Sequence, residues 1–222
     1  MKAADPLISG MATAKICGLK TPEAVTAALD GGAAFIGFNL FPASPRYLSP
    51  EEAGRLAPPI RGRARIAAVT VDPDDGFLDR LMAALRPDLI QLHGRETPTR
   101  AAAIAARTGV EVIKALPVSE ASDLDAAGPF AAAVAHLMFD AKAPAGAVIP
   151  GGNGVAFDWS VLAGRRFSRP WFLAGGLDPW NVGDAISRSG APMVDVSSGV
   201  ERGPGIKDPA LISAFLEAVR RA

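Results

Sequence analysis

Four side chains that can move protons or hold charge stand at the ends of short apolar runs. They are Cys17 in Lys15-Ile16-Cys17-Gly18, His93 in Gln91-Leu92-His93-Gly94, Asp140 in His136-Leu137-Met138-Phe139-Asp140, and Asp195 in Met193-Val194-Asp195-Val196-Ser197. A thiol, an imidazole and two carboxyls are acid–base groups whose usefulness near neutral pH is set by their surroundings. Cys17 is the single cysteine of the chain, so neither an internal disulfide nor a multi-cysteine metal cage can form. It is either an inert buried thiol, the ordinary fate of free cysteine, or a proton-handling group at a strand tip. The two histidines are far apart in sequence and complete no metal-ligand spacing, so no metal is expected.

A second kind of chemistry is written in three glycine clusters late in the chain: Gly151-Gly152-Asn153-Gly154, Ala174-Gly175-Gly176 and Ser197-Ser198-Gly199. Residues without bulk let backbone N–H groups approach an anion closely. One such cluster reads as a plain turn. Three in succession fit a phosphate site, with contacts expected from Gly152, Asn153, Gly154, Gly175, Gly176, Ser198 and Gly199.

These residues need a scaffold that brings distant segments together. Apolar and β-branched runs recur at Ala14–Gly18, Ala34–Asn39, Arg65–Val71, Leu89–His93, Glu111–Pro117, His136–Ala141, Trp171–Gly175 and Met193–Ser197, each followed by a polar loop and helical spacing. The repeat of roughly 28 residues per strand–helix unit suits a small (β/α)8 TIM barrel in the α/β class, whose active sites lie at the carboxyl ends of the strands. Strand alternation then sends Lys15, Cys17, Gln91, His93, Asp140, Asp195 and Ser197 into the lumen. Lys15 and Lys114 are expected to be lumen lysines paired with carboxylates. An open doubly wound sheet is the alternative, but Gly18-Leu19-Lys20-Thr21 lacks the glycine fingerprint that its first turn would usually carry. Helix starts support the count: Thr21-Pro22, Ser49-Pro50, Thr97-Pro98, Asp178-Pro179 and Asp208-Pro209 each set a capping residue before proline, and Ser49 with Glu52 forms a capping box.

Length and composition agree with one domain, expected over residues 13–222, preceded by an irregular leader over residues 1–12. The 222 residues carry 23 basic and 23 acidic side chains and no formal net charge, with 49% hydrophobic residues. No global field draws the chain to nucleic acid, and no apolar run approaches the ~18 residues of a membrane span. The absence of an apolar signal segment and the free thiol point to the cytoplasm.

Taken in order, Lys15-Ile16-Cys17-Gly18, Ser44-Pro45-Arg46-Tyr47, Gln91-Leu92-His93-Gly94, Gly151-Gly152-Asn153-Gly154 with Phe157-Asp158-Trp159, Leu173-Ala174-Gly175-Gly176-Leu177, and Asp195-Val196-Ser197-Ser198-Gly199-Val200-Glu201 leading to Pro204-Gly205-Ile206-Lys207-Asp208 resemble the phosphoribosylanthranilate isomerase family of tryptophan biosynthesis. The resemblance implies an Amadori rearrangement of N-(5-phosphoribosyl)anthranilate. Asp140 would be the general acid and Cys17 the general base, with Arg46 holding the anthranilate carboxylate and His93 and Asp195 positioning substrate. The acid role asks for a raised carboxyl pKa at the apolar strand tip, and the base role for an accessible thiolate, which Lys15 would favour. No cofactor is implied, since the rearrangement is redox neutral, and the assembly is expected to be a monomer or homodimer. Asn153 departs from the threonine usual in the family's glycine loop. Competing readings are a neighbouring phosphosugar isomerase of histidine biosynthesis, indoleglycerol-phosphate synthase, and a non-catalytic phosphate-binding barrel.

Overall fold

Each of the eight alternating runs forms a strand in the computed structural model, which describes residues 12–143, 146, 149, 151–152, 154 and 156–222. The strands are β1 (Thr13–Cys17), β2 (Phe35–Asn39), β3 (Arg65–Thr70), β4 (Leu89–Leu92), β5 (Glu111–Val118), β6 (His136–Ala141), β7 (Trp171–Leu173) and β8 (Met193–Val196). All are parallel, and they close in chain order because β1 pairs with β8 as well as with β2. The doubly wound alternative is thereby set aside. Of the expected leader, residues 1–11 lie outside the described residues, and Ala12 packs on the outer core.

Alternation divides the apolar side chains into two compartments. Ile16, Ile36, Phe38, Ile90, Leu92, Leu137, Phe139, Val194 and Val196 face the helices in one continuous core. Phe35, Ala67, Leu89, Ile113, Ala115, Met138, Phe172, Ala174 and Met193 fill the lumen. Phe35 and Phe172 meet edge-on at 5.1 Å beside His136. Aromatic bulk therefore seals the interior, and the polar lumen residues beyond it have an enclosed floor.

Helices α1 (Pro22–Asp30), α2 (Pro50–Leu56), α3 (Asp75–Ala84), α4 (Pro98–Thr108), α5 (Val182–Ser189) and α6 (Pro209–Arg221) cover the barrel. Thr21, Ser49, Thr97 and Asp208 cap as their sequence predicts, and the Ser49–Glu52 box is formed. Asp178-Pro179 does not start a helix. Asp178 instead accepts from the amides of Trp180 and Asn181, and α5 begins three residues after Pro179, at Val182, with Asn181 as its flanking residue. The units after β5 and β6 use 3₁₀ segments, Ala121–Phe130 and Trp159–Leu162, in place of α-helices. Gly128-Pro129 removes one amide donor and weakens helical propensity in the first, and Gly164, in a left-handed conformation, closes off the second.

Lys114 corrects the parity reading. Its neighbours Ile113 and Ala115 face the lumen, so Lys114 faces outward. It does find a carboxylate there: its Nζ donates to Glu96 Oε2 and the Gly94 carbonyl, both at 2.7 Å. Glu96 also accepts from the amides of Asp72 and Gly94, so one buried carboxylate ties together the loops after β3 and β4. Removing one member of a buried pair leaves the other charge uncompensated. Lys114→Met is expected to cost about 3 kcal/mol in urea denaturation, and adding Glu96→Gln should recover part of the loss.

Candidate active site

The strand tips deliver their polar side chains to one cleft. Cys17, Arg46, His93, Asp140 and Asp195 line it, together with Gly152, Gly154, Gly175, Gly176 and Ser198, around about 760 Å³ that includes space open to solvent. Gly199 is not in this lining. A Cβ there would collide with the Leu177 carbonyl, so Gly199 serves close packing between the last two loops. Asn153 lies outside the described residues.

On one side of the cleft, Cys17 ends β1 beside a buried ion pair. Lys15 Nζ donates to Asp195 Oδ1 at 2.8 Å across the β1–β8 seam. Gly37 on β2 leaves them room, since a Cβ there would stand 3.0 Å from Lys15 Nζ and 3.1 Å from Cys17 Sγ. Burial would discharge Lys15, but the charge of Asp195, with help from Cys17, holds its pKa above the ordinary lysine value. Burial pushes the Cys17 thiol up, and the opposing pull of Lys15 is smaller. Lys15 therefore does not by itself produce the expected thiolate, because its charge is shared with Asp195, which also disfavours an anion at sulfur.

On the other side, Asp140 ends β6 with its Oδ2 3.2 Å from His93 Nε2. Gln91 Nε2 lies 3.2 Å from His93 Nδ1 and 3.3 Å from Met138 Sδ. A Gln91 amide that donates to Nδ1 requires the His93 tautomer whose ring proton is on Nε2, facing Asp140. Gly151 closes over this pair; a Cβ there would come within 2.5 Å of Asp140 Oδ2 and 2.6 Å of His93 Nε2.

Arg46 enters from the loop after β2. Its stem passes so close to Gly18 that a Cβ there would lie 2.7 Å from Arg46 Cδ. The sequence reading gave its two-nitrogen edge to a substrate carboxylate. That edge instead meets Glu201: Nε donates to Oε1 at 2.7 Å and Nη2 to Oε2 at 2.9 Å, while Nη2 also reaches the Gly152 carbonyl at 3.3 Å. Lys207 Nζ donates to Glu201 Oε1 and to the Ser197 carbonyl, both at 2.7 Å. Neither Glu201 nor Lys207 was singled out from sequence, although their opposite charges flank the Pro204-Gly205 turn, a spacing that a short hairpin brings together.

The chain matches the family model for N-(5'phosphoribosyl)anthranilate (PRA) isomerase over residues 14–218, a span that holds every cleft-lining residue named above. The chain belongs to the PRA isomerase family. N-(5'-phosphoribosyl)anthranilate isomerase of Caulobacter vibrioides is 67% identical over 210 residues, 94% of this chain and 96% of that one. The crystal structure of phosphoribosyl anthranilate isomerase from Thermotoga maritima superposes with a TM-score of 0.85 at 33% identity, covering 96% of this chain and all of that one. A phosphoribosyl anthranilate isomerase in complex with reduced 1-(o-carboxyphenylamino)-1-deoxyribulose 5-phosphate gives a TM-score of 0.82 at 32% identity, with the same coverage. The close approach of Gly151 to the Asp140–His93 pair makes a specific demand. Gly151→Ala is expected to lower kcat at least about tenfold by forcing the pair apart, roughly the cost of a misplaced catalytic group. A thermal midpoint within a few degrees of the parent would show that the scaffold is intact.

Proposed function

We propose that this chain converts N-(5-phosphoribosyl)anthranilate to 1-(2-carboxyphenylamino)-1-deoxyribulose 5-phosphate, with Asp140 as general acid and Cys17 as general base. The observation that carries the reading is the convergence of a thiol from β1 and a carboxyl from β6 on one cleft whose rim includes the three glycine loops. Asp140 gives a proton to the ribose ring oxygen, the C1–O bond opens, and the nitrogen lone pair forms an iminium at C1. Cys17 then takes the proton from C2, acidified by that iminium, to give an enolamine. Ketonisation moves a proton to C1 and removes the one on O2, so four proton positions change and no electrons enter or leave. The phosphate end is read onto Gly152, Gly154, Gly175, Gly176 and Ser198, with Asn153 and Gly199 completing their loops. Arg46 takes the anthranilate carboxylate, and His93 and Asp195 hold the acid and the Lys15 ammonium in place. The tryptophan-pathway reaction accounts for each of these groups, whereas a binding-only barrel has no use for the paired acid and base. Among the described residues no helix is long and apolar enough to cross a membrane, and the proposed location is the cytoplasm, where a lone thiol stays reduced.

Acid–base partners typically contribute 10²–10⁴-fold. Cys17→Ser and Asp140→Asn are each expected to lower kcat by at least about 100-fold, followed as loss of anthranilate-type fluorescence; parental rates in either variant remove that residue from the mechanism. The pH dependence has a definite sign. The thiolate is the competent form and burial raises the thiol pKa, so the residual kcat/KM of Asp140→Asn, in which the opposing titration of the acid is removed, should keep climbing beyond about pH 8.5, the ordinary thiol value. A residual profile of that variant already flat between about pH 7 and 9 would speak against Cys17 as the base.

A further inference from the structure

After β8 the chain makes a short 3₁₀ turn, Ser198–Val200, and then a two-stranded antiparallel hairpin, β9 (Glu201–Gly203) and β10 (Ile206–Lys207). The hairpin is built against the Arg46 loop. Gly205, at a φ of +74°, packs its Cα on the Pro45 carbonyl, where no Cβ would fit, and its amide donates to Glu201 Oε2 at 3.1 Å. The side chains of Arg46, Glu201 and Lys207 are 5%, 4% and 2% exposed. Burial alone would raise the Glu201 pKa, but hydrogen bonds and charge from Arg46 and Lys207 hold it below the usual carboxylate range.

Burial lowers the Lys207 pKa, and while Lys207 is protonated two cations and one carboxylate leave this buried trio with one positive charge in excess. Every donor nitrogen but one is committed: Nε and Nη2 of Arg46 go to Glu201 and Gly152, and Lys207 goes to Glu201 and Ser197. Arg46 Nη1 has no protein acceptor among the described residues, and it lies against Gly152 at the cleft wall. A buried excess charge is costly, and an anion delivered to Nη1 removes the excess.

We propose that Glu201, steadied by Lys207, is the positioning residue for the carboxylate subsite. It clamps the guanidinium plane so that Nη1 faces the cleft, and the trio selects ligands whose aryl ring carries an ionised carboxylate. The inference rests on the reading of Arg46 as the carboxylate-binding residue. It assigns Glu201 a role that its sign alone would contradict, since a carboxylate near an anion subsite repels the ligand unless its orienting effect dominates.

That contradiction supplies the test. Calorimetric titration compares two probes, the reduced product 1-(2-carboxyphenylamino)-1-deoxypentitol 5-phosphate and its phenylamino analogue without the carboxylate. For Glu201→Gln, Kd of the carboxylated probe should rise at least tenfold, while Kd of the analogue stays within twofold of the parent. An unchanged or tighter Kd for the carboxylated probe would mean that charge outweighs orientation and overturns the proposal. Equal weakening of both probes would reduce Glu201 to a structural support and overturn it as well. Arg46→Gln separates the two layers: if it affects both probes equally, the carboxylate reading of Arg46 fails, whereas selective loss there without selective loss in Glu201→Gln sinks only the clamp. Should Glu201→Gln not fold, Lys207→Met answers the same question. It leaves Glu201 to cancel Arg46, so binding of the carboxylated probe alone should weaken, and no selective weakening refutes the role.

Discussion

The ion pair between Lys15 and Asp195 sits at the place where the barrel must close. The two residues are register partners on the first and last strands, 180 positions apart, and both are buried. Burying two charges gains little net stability over an apolar pair, but breaking the pair would leave a lone charge in the interior. A slip by one residue would turn one partner out beneath the helices. The pair therefore penalises every closure but one, and that closure puts Cys17, two residues beyond Lys15, at the rim of the cleft.

From that seam the rest of the site follows by approach of backbone to side chain. The Arg46 stem crosses Gly18, its Nη1 rests on Gly152, and the hairpin that holds its far edge rests on Pro45 through Gly205. Loops after β1, β2, β6 and β8 thus meet around a single guanidinium. Beneath them Phe35, Phe172 and Met138 exclude water from the lumen floor, so polar groups above it interact in a medium less screened than water. The raised Cys17 pKa is a consequence of this dryness.

Much of this was legible because period-two alternation is a local property. Cys17, His93, Asp140 and Asp195 were placed in the lumen by counting from apolar neighbours, and the cleft contains all of them. Lys114 escaped the same logic, because its charge suggested a lumen partner while its own neighbours Ile113 and Ala115 already occupied that face. Helix starts were legible where proline followed the cap, except at Asp178, whose side chain closes a turn on Trp180 and Asn181 before the helix begins. The partnership of Arg46 with Glu201 is a contact across 155 positions of sequence. No local pattern specifies it, and only the packing of Gly205 on the Pro45 loop brings the two together.

The outward Lys114 has a further consequence. Through Glu96 and Gly94 it fastens two rim loops from behind the barrel wall, on the side away from the cleft. Foundation and working face of that rim are thus separate sets of atoms. A lineage is free to re-tailor Val69 or Val71 toward a new ligand while the fastening stays as it is, which makes this sector of the barrel the ground on which a change of specificity meets least resistance from the fold.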